Sequence, residues 1–318
     1  MIESPNTNDG RIKFGNVSTR AAVTNAAAIT EFGVMAEMNL GADGSPEALQ
    51  WVPLLENERV YRGSDNNFTY DNTRYWVEDR TFFFFAVYPY GTSVTRTEET
   101  IEHNGNNATK FQYSVNVRVP YSANTDFLVA QCSVPTKEIT DLANYPTVGL
   151  EFEHLLSQIK VKVKKSTDNA NDQLTVTQVG LSDISRTATF DAVHTPNLYT
   201  ETFSVVDQAS RVRRQNLNVE LETTDKQLFG VNDGLLVLPQ DISSAKLTLT
   251  YTYKEEGTNE EQYSTIEVGI ATKDVKEWTK GKIYTYSLTL AKDHNIYIGT
   301  PTVSDWGIAQ AGGTIIIQ

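Results

Sequence analysis

The stretch WTKGKIYTYSLTL at residues 278–290 decides the fold class of this chain. From Tyr284 to Leu290, tyrosine and leucine alternate strictly with threonine and serine. Because successive side chains of a strand point to opposite faces of a sheet, a period of two predicts a strand with one buried and one solvated face. The sequence ends in GGTIIIQ, residues 312–318, an apolar strand-like segment that needs a pairing partner.

The same period of two recurs along the whole chain. It covers residues 111–119, 159–164, 217–221, 245–253 and 266–270. Alternation of this kind is typical of antiparallel sheets that pack face to face.

Two kinds of segment depart from this pattern. The run Phe82–Phe85 is apolar on both faces, which predicts a central strand covered on both sides and ending at Pro89. Helical turns are expected only at residues 46–50 and 136–144. The sequence therefore predicts an all-β protein with few short helices.

The length of 318 residues favours two domains. A polar stretch interrupted by asparagine and proline ends at Asn144-Tyr145-Pro146-Thr147, and a long strand-like segment follows it. We therefore expect domains at residues 1–147 and 148–318, each large enough to bury its own core.

The charge balance excludes one class of partner. Lysine and arginine total 27 against 40 aspartates and glutamates, for a net charge of −13, so no basic surface is expected to hold a nucleic-acid backbone. No apolar run approaches the roughly 18 residues of a membrane-spanning helix. Residues 1–10 are polar and unlike a signal peptide, so the chain is either cytosolic or begins after a removed export segment.

Motifs for catalysis are lacking in the sequence. There is no phosphate-binding loop, nucleophile elbow or metal-ligand spacing, the four histidines are far apart, and Cys132 is the only cysteine. We expect no enzyme activity, no metal and no cofactor. Trp51 and Trp76 either belong to the core or provide a surface for stacking a sugar ring.

Five motifs in order carry a resemblance to a known family. They are FFFAVYP at 83–89, the alternating segment 150–163, LVLPQ at 236–240, the block 278–290 and Asp305-Trp306. Together they resemble the fimbrillin (Mfa-like) proteins of Bacteroidales, which are subunits of the type V pilus. The resemblance covers residues 12–318 and implies two β-sandwich domains of transthyretin-like topology.

The resemblance also implies how such a subunit assembles. In fimbrillins an N-terminal strand completes the first sandwich, and an arginine-specific protease releases it. Here the matching strand contains Ile12, Phe14 and Val17, and Arg20 is the expected cleavage site, with Arg11 as the competing bond. From the residues alone, an ordinary edge strand with an arginine in solvent is the favoured interpretation, and only the resemblance to the family reverses this preference.

The C-terminal segment is the expected donor strand. Ile315, Ile316 and Ile317 would fill the groove of another subunit, and burying them contributes about 5–8 kcal/mol before entropy. The alternative is that they form the last strand of their own domain.

The resemblance implies the partners and the location as well. The expected partners are other pilus subunits, and surface ligands or glycans. Export as a lipoprotein to the outer membrane is implied, although the lipid-anchoring cysteine of the family lies outside this sequence. The stalk, tip or anchor role stays open. The alternative function is a surface carbohydrate-binding β-sandwich that uses Trp51 or Trp76.

Overall fold

The described part of the chain is nearly all-β, with 63% strand and 3% helix, which confirms the predicted fold class. A computed structural model describes residues 10–19, 29–42, 44–64, 67–121, 125–137, 145–196, 198–206, 211–229 and 234–306. Short 3-10 turns lie at Pro46–Leu49, as predicted, and at Thr167–Asn169. Most of the other expected turn, 136–144, lies outside the described residues. Within the described ranges, no helix is long and apolar enough to cross a membrane.

Seven strands form a first sheet that closes on itself. Strands are numbered β1–β23 in chain order. The spatial order of the first sheet is β1 (Lys13–Thr19), β4 (Phe68–Thr69), β3 (Trp51–Arg62), β2 (Glu31–Asn39), β5 (Thr81–Tyr88), β8 (Leu128–Pro135) and β9 (Thr147–His154). The ring closes because β1 pairs with β9, in parallel, while the other neighbours are antiparallel.

A second, antiparallel sheet packs on the first. Its order is β13 (Leu198–Val205), β12 (Thr187–Thr195), β7 (Asn106–Arg118) and β6 (Val94–His103). Strands β12 and β13 follow the expected boundary at 147/148, yet they share this sheet with β6 and β7, which precede it. Strand β9, which begins at that boundary, belongs to the first sheet. Paired strands lie on both sides of this boundary, and the division into two domains stays a prediction.

The phenylalanine strand β5 lies between two cores, as its composition predicts. Phe83 and Phe85 pack with residues of the second sheet, while Phe82 and Phe84 face the interior of the first sheet. All four are buried. Because the side chains of a strand alternate between faces, only a strand apolar at every position can serve both cores at once.

One ionic cluster is buried between the first two sheets. The carboxylate of Glu37 on β2 is fully buried and accepts hydrogen bonds from Arg96 on β6, at 2.6 and 3.0 Å, and from the Tyr113 hydroxyl on β7, at 2.6 Å. Burial opposes the charge of Arg96, but the bonds and charge of Glu37 outweigh it and raise the guanidinium pKa. Burial next to the same carboxylate raises the pKa of Tyr113. The cluster joins three strands through a carboxylate that has lost its water.

The rest of the chain forms two further sheets and a short ribbon around one core. The third sheet contains β15 (Lys226–Gln227), β16 (Leu235–Val237), β10 (Ser157–Lys165), β21 (Lys282–Leu290), β22 (Ile296–Ile298) and β23 (Thr302–Asp305). The fourth sheet contains β14 (Arg211–Glu220), β11 (Gln173–Ile184), β18 (Lys246–Lys254) and β19 (Gln262–Gly269). The ribbon pairs β17 (Gln240–Asp241) with β20 (Glu277–Trp278).

The block at 278–290 forms the strand that its alternation predicts. Every tyrosine and leucine from Tyr284 to Leu290 is buried, and Trp278 donates a hydrogen bond from its ring nitrogen to the Tyr286 hydroxyl at 3.1 Å. The expectation of purely antiparallel sheets is wrong, because β21 pairs with β10 in parallel, as β1 does with β9. The period of two reports which face is buried and contains no information on strand direction.

Candidate functional site

The first strand, β1, is inserted between two strands of its own sheet. On one side it pairs in parallel with β9, from Lys13 opposite Thr147 to Thr19 opposite Phe152. On the other side, the described residues give one pair with β4, Phe14 opposite Phe68. Strand β1 is therefore paired over a much longer stretch with β9 than with β4.

Two of the three predicted side chains of this strand are buried in the core. Ile12 is 1% and Phe14 is 4% exposed, and both belong to the apolar interior of the first sheet, whereas Val17 is partly buried and packs against that interior. The Phe14 ring meets Phe32 and Phe84 edge-on, with centroids 6.3 and 5.9 Å apart. The predicted alternation is correct here, and β1 supplies part of the core.

Main-chain hydrogen bonds hold the residues that lead into β1. The amide of Ile12 donates to the carbonyl of Arg74 at 2.9 Å, and the amide of Trp76 donates to the carbonyl of Gly10 at 2.9 Å. The Tyr70 hydroxyl also donates to the carbonyl of Ile12 at 3.0 Å. Sequence reasoning missed these contacts, because the segment around residue 74 has no regular period and reveals its partner only in the folded chain.

The pairing of β1 with β9 is irregular in the middle of the strand. The register with β9 shifts between Phe14 and Val17, which marks a bulge. At Gly15 a Cβ atom would collide with the Cγ2 methyl of Thr147, so glycine permits the close approach of the two strands. A cleft of about 470 Å³ runs beside this segment, lined by residues 11–15 on one side and 67–70 on the other. The bulge divides β1 into two parts with separate contacts.

The remaining predicted site residues lie outside the described residues. These are Arg20, which follows β1 directly, and Ile315, Ile316 and Ile317.

The last described residue, Trp306, is firmly anchored. Its ring stacks on His154 at the end of β9, with centroids 3.9 Å apart, and its amide donates to the carbonyl of Gly281 at 2.8 Å. His154 in turn lies 2.6 Å from the carboxylate of Asp126. Since Thr19 is opposite Phe152, the end of β1 and Trp306 lie at the same end of β9. The Asp305-Trp306 motif thus marks an anchor at this end of the strand.

The structure offers no arrangement suited to catalysis or metal binding in its described part. There, no three His, Cys, Asp or Glu side chains converge in a way that would hold a metal ion. Burial raises the pKa of the Cys132 thiol to about 11, which keeps it protonated at neutral pH. Trp76 is buried with its ring against Phe82 and Phe84, so it provides no exposed platform for a sugar.

The fold and this site define an all-β protein of packed sheets whose first strand fills a slot in its own core. A family model described as fimbrillin-like matches residues 19–306, and the chain belongs to this family. The resemblance found in the sequence motifs is confirmed. The family consists of structural fimbrial and adhesin subunits, which confirms the prediction that the chain is not an enzyme. Membership supports a role as a fimbrial subunit or adhesin at the cell surface.

Solved structures with the same fold are distant in sequence. A fimbrial protein from Bacteroides vulgatus is 19% identical, with a TM-score of 0.63 over 93% of this chain and 99% of that chain. A proposed cell adhesion protein from Bacteroides ovatus is 15% identical, with a TM-score of 0.50 over 93% of this chain and 96% of that chain. At such identities the likeness shows the fold. No curated protein matches the chain significantly in sequence.

Proposed function

We propose that this chain is a subunit of a cell-surface fimbria and that β1 is exchanged for a strand of another subunit during assembly. The observation that carries the proposal is the burial of Ile12 and Phe14 at the start of the chain, in a strand inserted between β4 and β9. A strand in this position is separable in principle, because a single connection that contains residues 20–28 joins it to the strands that follow. Those residues, RAAVTNAAA, are mostly small or polar.

The energetics favour replacement over simple loss. Removing β1 would expose the groove that now holds Ile12 and Phe14, and each such side chain contributes about 1.5–3 kcal/mol through burial. An incoming strand restores both the apolar contact and the ladder of main-chain bonds. Release of β1 therefore creates a binding site whose natural occupant is another extended segment.

The C-terminal segment has the spacing that this groove requires. Ile12 and Phe14 are two residues apart, and so are Ile315 and Ile317. Residues two apart share one face of a strand, so the two isoleucines would fill the positions of Ile12 and Phe14. The isoleucines of one subunit are thus the proposed donor for the groove of the next.

Cleavage after Arg20 is the proposed trigger for release. Thr19 is the last residue of β1, so a cut after Arg20 would leave the whole strand held by non-covalent contacts alone. A cut after Arg11 would leave β1 covalently in place. Export as a lipoprotein to the outer membrane, before this cleavage, completes the proposed sequence of events.

The test is digestion of the full chain with an arginine-specific protease. We expect cleavage after Arg20, shown by N-terminal sequencing, followed by oligomers in size-exclusion chromatography. The variant Arg20→Ala should stay uncut at this bond and monomeric, whereas the control Arg11→Ala should behave as the unmodified chain. Cut protein that stays monomeric would contradict the exchange.

A second pair of variants tests the donor. Ile315→Asp with Ile317→Asp should abolish oligomers without changing cleavage, because two carboxylates cannot enter an apolar groove unpaired. The matched control is Ile316→Asp, which lies on the opposite face of an extended strand. Equal loss of oligomers in both would show that the face assignment is wrong.

A further inference from the structure

Strand β13 forms one edge of the second sheet and has a free side. Within the described residues it pairs only with β12, in a register that runs without a shift along the whole strand. The ladder continues one residue further, because the amide of Val206 donates to the carbonyl of Thr187 at 3.0 Å. A long, regular strand with a free side is a template for pairing with another strand.

The main-chain groups on the free side of β13 follow from this bonding. Val206 continues the register opposite Thr187 and donates to it, so the two form a hydrogen-bonded pair. In an antiparallel ladder, hydrogen-bonded and non-hydrogen-bonded pairs alternate. The even-numbered residues of β13 therefore bond to β12. The amides and carbonyls on the free side are those of Tyr199, Glu201, Phe203 and Val205.

Strand β13 lacks the features that usually protect a sheet edge. Native proteins block edges with charged side chains, prolines or bulges. The opposite edge of the same sheet, β6, has one arginine and three glutamates among its ten residues. Strand β13, with the sequence LYTETFSV, has a single charged residue and neither a proline nor a bulge. The two edges of one sheet are therefore unequal, and β13 is the one open to pairing.

The single charge of β13 does not lie on its exposed face. Glu201 is partly buried and forms an ion pair with Lys280 of the β20–β21 connection. The Tyr199 hydroxyl also donates to the Glu201 carboxylate, at 3.0 Å. The opposite face of the strand is exposed and uncharged; its residues are Leu198, Thr200, Thr202 and Ser204. A strand arriving at this edge therefore meets apolar and hydroxyl side chains on that face.

The sequence of β13 is complementary to itself in one antiparallel register. Exposed apolar side chains lie at its two ends, Leu198 at 59% and Val206 at 62% exposure. When two copies pair antiparallel about Thr202, Leu198 of each copy lies opposite Val206 of the other. Each exposed apolar side chain then gains a cross-strand neighbour of its own kind.

The same register also matches the free main-chain groups. Tyr199 of one copy lies opposite Val205 of the other, and Glu201 lies opposite Phe203, so all four residues form hydrogen-bonded pairs. Moving one strand by two residues can place Glu201 opposite its own copy, where like charges destabilise the pairing. The register about Thr202 therefore combines apolar contact, main-chain bonds and separation of charge.

We propose that β13 is a contact surface for a second copy of this chain, which pairs with it antiparallel about Thr202 and joins the two second sheets into one. A contact between two strand edges is small compared with the roughly 1,200–2,000 Å² of stable interfaces, so the free subunit stays monomeric in dilute solution. Along a row of linked subunits the weak contact is repeated, and its effect multiplies. Lateral association of fimbriae is the consequence; it rests on the proposed function, whereas the contact itself does not.

The test is disulfide trapping of the full uncut chain at high concentration, with oxidised glutathione as the oxidant. Thr202 lies opposite its own copy in a non-hydrogen-bonded pair, where Cα atoms are about 4.5 Å apart, a distance that a disulfide spans. Thr202→Cys should therefore give a disulfide-linked dimer in non-reducing gel electrophoresis. The unmodified chain, whose Cys132 lies on β8, measures the background.

The matched control is Thr200→Cys, an exposed threonine on the same face of the same strand. In the proposed register its own copy lies four residues further along the partner strand, about 13 Å away, so it should form dimer at least tenfold more slowly. No dimer from Thr202→Cys, or equal rates for the two variants, overturns the proposal. Because the chain is uncut, this result is independent of strand exchange at β1.

A second experiment measures the contact without a cross-link. Thr202→Lys places two ammonium groups opposite each other and should weaken self-association of the uncut chain at least tenfold in sedimentation equilibrium at high concentration. The matched control is Thr265→Lys, an exposed threonine on β19 at the edge of the fourth sheet, which should associate as the unmodified chain does. Thermal unfolding of each variant verifies the fold. Unchanged association of Thr202→Lys, or an equal loss in the control, overturns the assignment to β13.

Discussion

Replacing Phe14 by alanine tests whether β1 is held by its core side chains. The ring is 4% exposed and meets three aromatic rings edge-on, those of Phe32, Tyr70 and Phe84, at centroid distances of 6.3, 5.5 and 5.9 Å. Truncation of a buried phenylalanine costs about 3–5 kcal/mol, because the transfer free energy is lost and a cavity remains. Since a factor of ten in an equilibrium corresponds to about 1.4 kcal/mol, local opening of β1 should become more frequent by at least about 10²-fold.

The assay combines urea denaturation with hydrogen exchange of the peptide covering residues 10–19. Phe14→Ala should lower the free energy of unfolding by about 3–5 kcal/mol and accelerate exchange in that peptide. Ser18→Ala, an exposed position on the same strand, is the control and should change stability by less than about 0.5 kcal/mol. A loss below about 1 kcal/mol for Phe14→Ala, with unchanged exchange, would refute the seating of β1 described above.

Three further perturbations have outcomes that the structure determines. Glu37→Ala leaves the partly buried Arg96 with only Glu98 as a carboxylate partner and removes the acceptor of the buried Tyr113 hydroxyl, so it should cost about 3–5 kcal/mol in urea denaturation, whereas a loss near zero would show that the pair is solvated. Burial lowers the pKa of His194 to about 4 from its usual 6.5. Between these two pH values the imidazole binds a proton in the unfolded chain but not in the folded chain. Stability should therefore fall by up to about 3 kcal/mol between pH 6.5 and 4, and His194→Phe should reduce this loss in melting curves recorded at both pH values. Gly15→Val forces a side chain against Thr147 and should destabilise β1 by about 1–3 kcal/mol, with faster exchange at residues 10–19; unchanged exchange would mean that the threonine methyl simply turns aside.

Much of the candidate site was accessible from the sequence. Ile12 and Phe14 alternate with polar or small neighbours, and the structure buries both, so the inward face of β1 follows from period alone. The aromatic strand Phe82–Phe85 was likewise predictable, because only a strand covered on both sides tolerates four consecutive phenylalanines. In both cases the signal is local: a residue's own hydrophobicity and its spacing from the next one.

Other features were not accessible, because they depend on which distant segments meet. The parallel pairing of β1 with β9 joins residues more than 130 positions apart, and alternation is the same for either direction. The sugar-stacking alternative left the placement of Trp51 and Trp76 open, and the fold buries both in the core, at 9% and 6% exposure.

By itself, then, the sequence determined the strands, the face of each that is buried and the family, since all three depend on local hydrophobic period and on motifs in a fixed order. The tertiary structure alone decided strand direction and the slot that holds Ile12 and Phe14. The physical reason is that burial acts on each residue separately, whereas a slot or a cleft exists only when the closure of a long loop brings remote side chains to within a few ångströms.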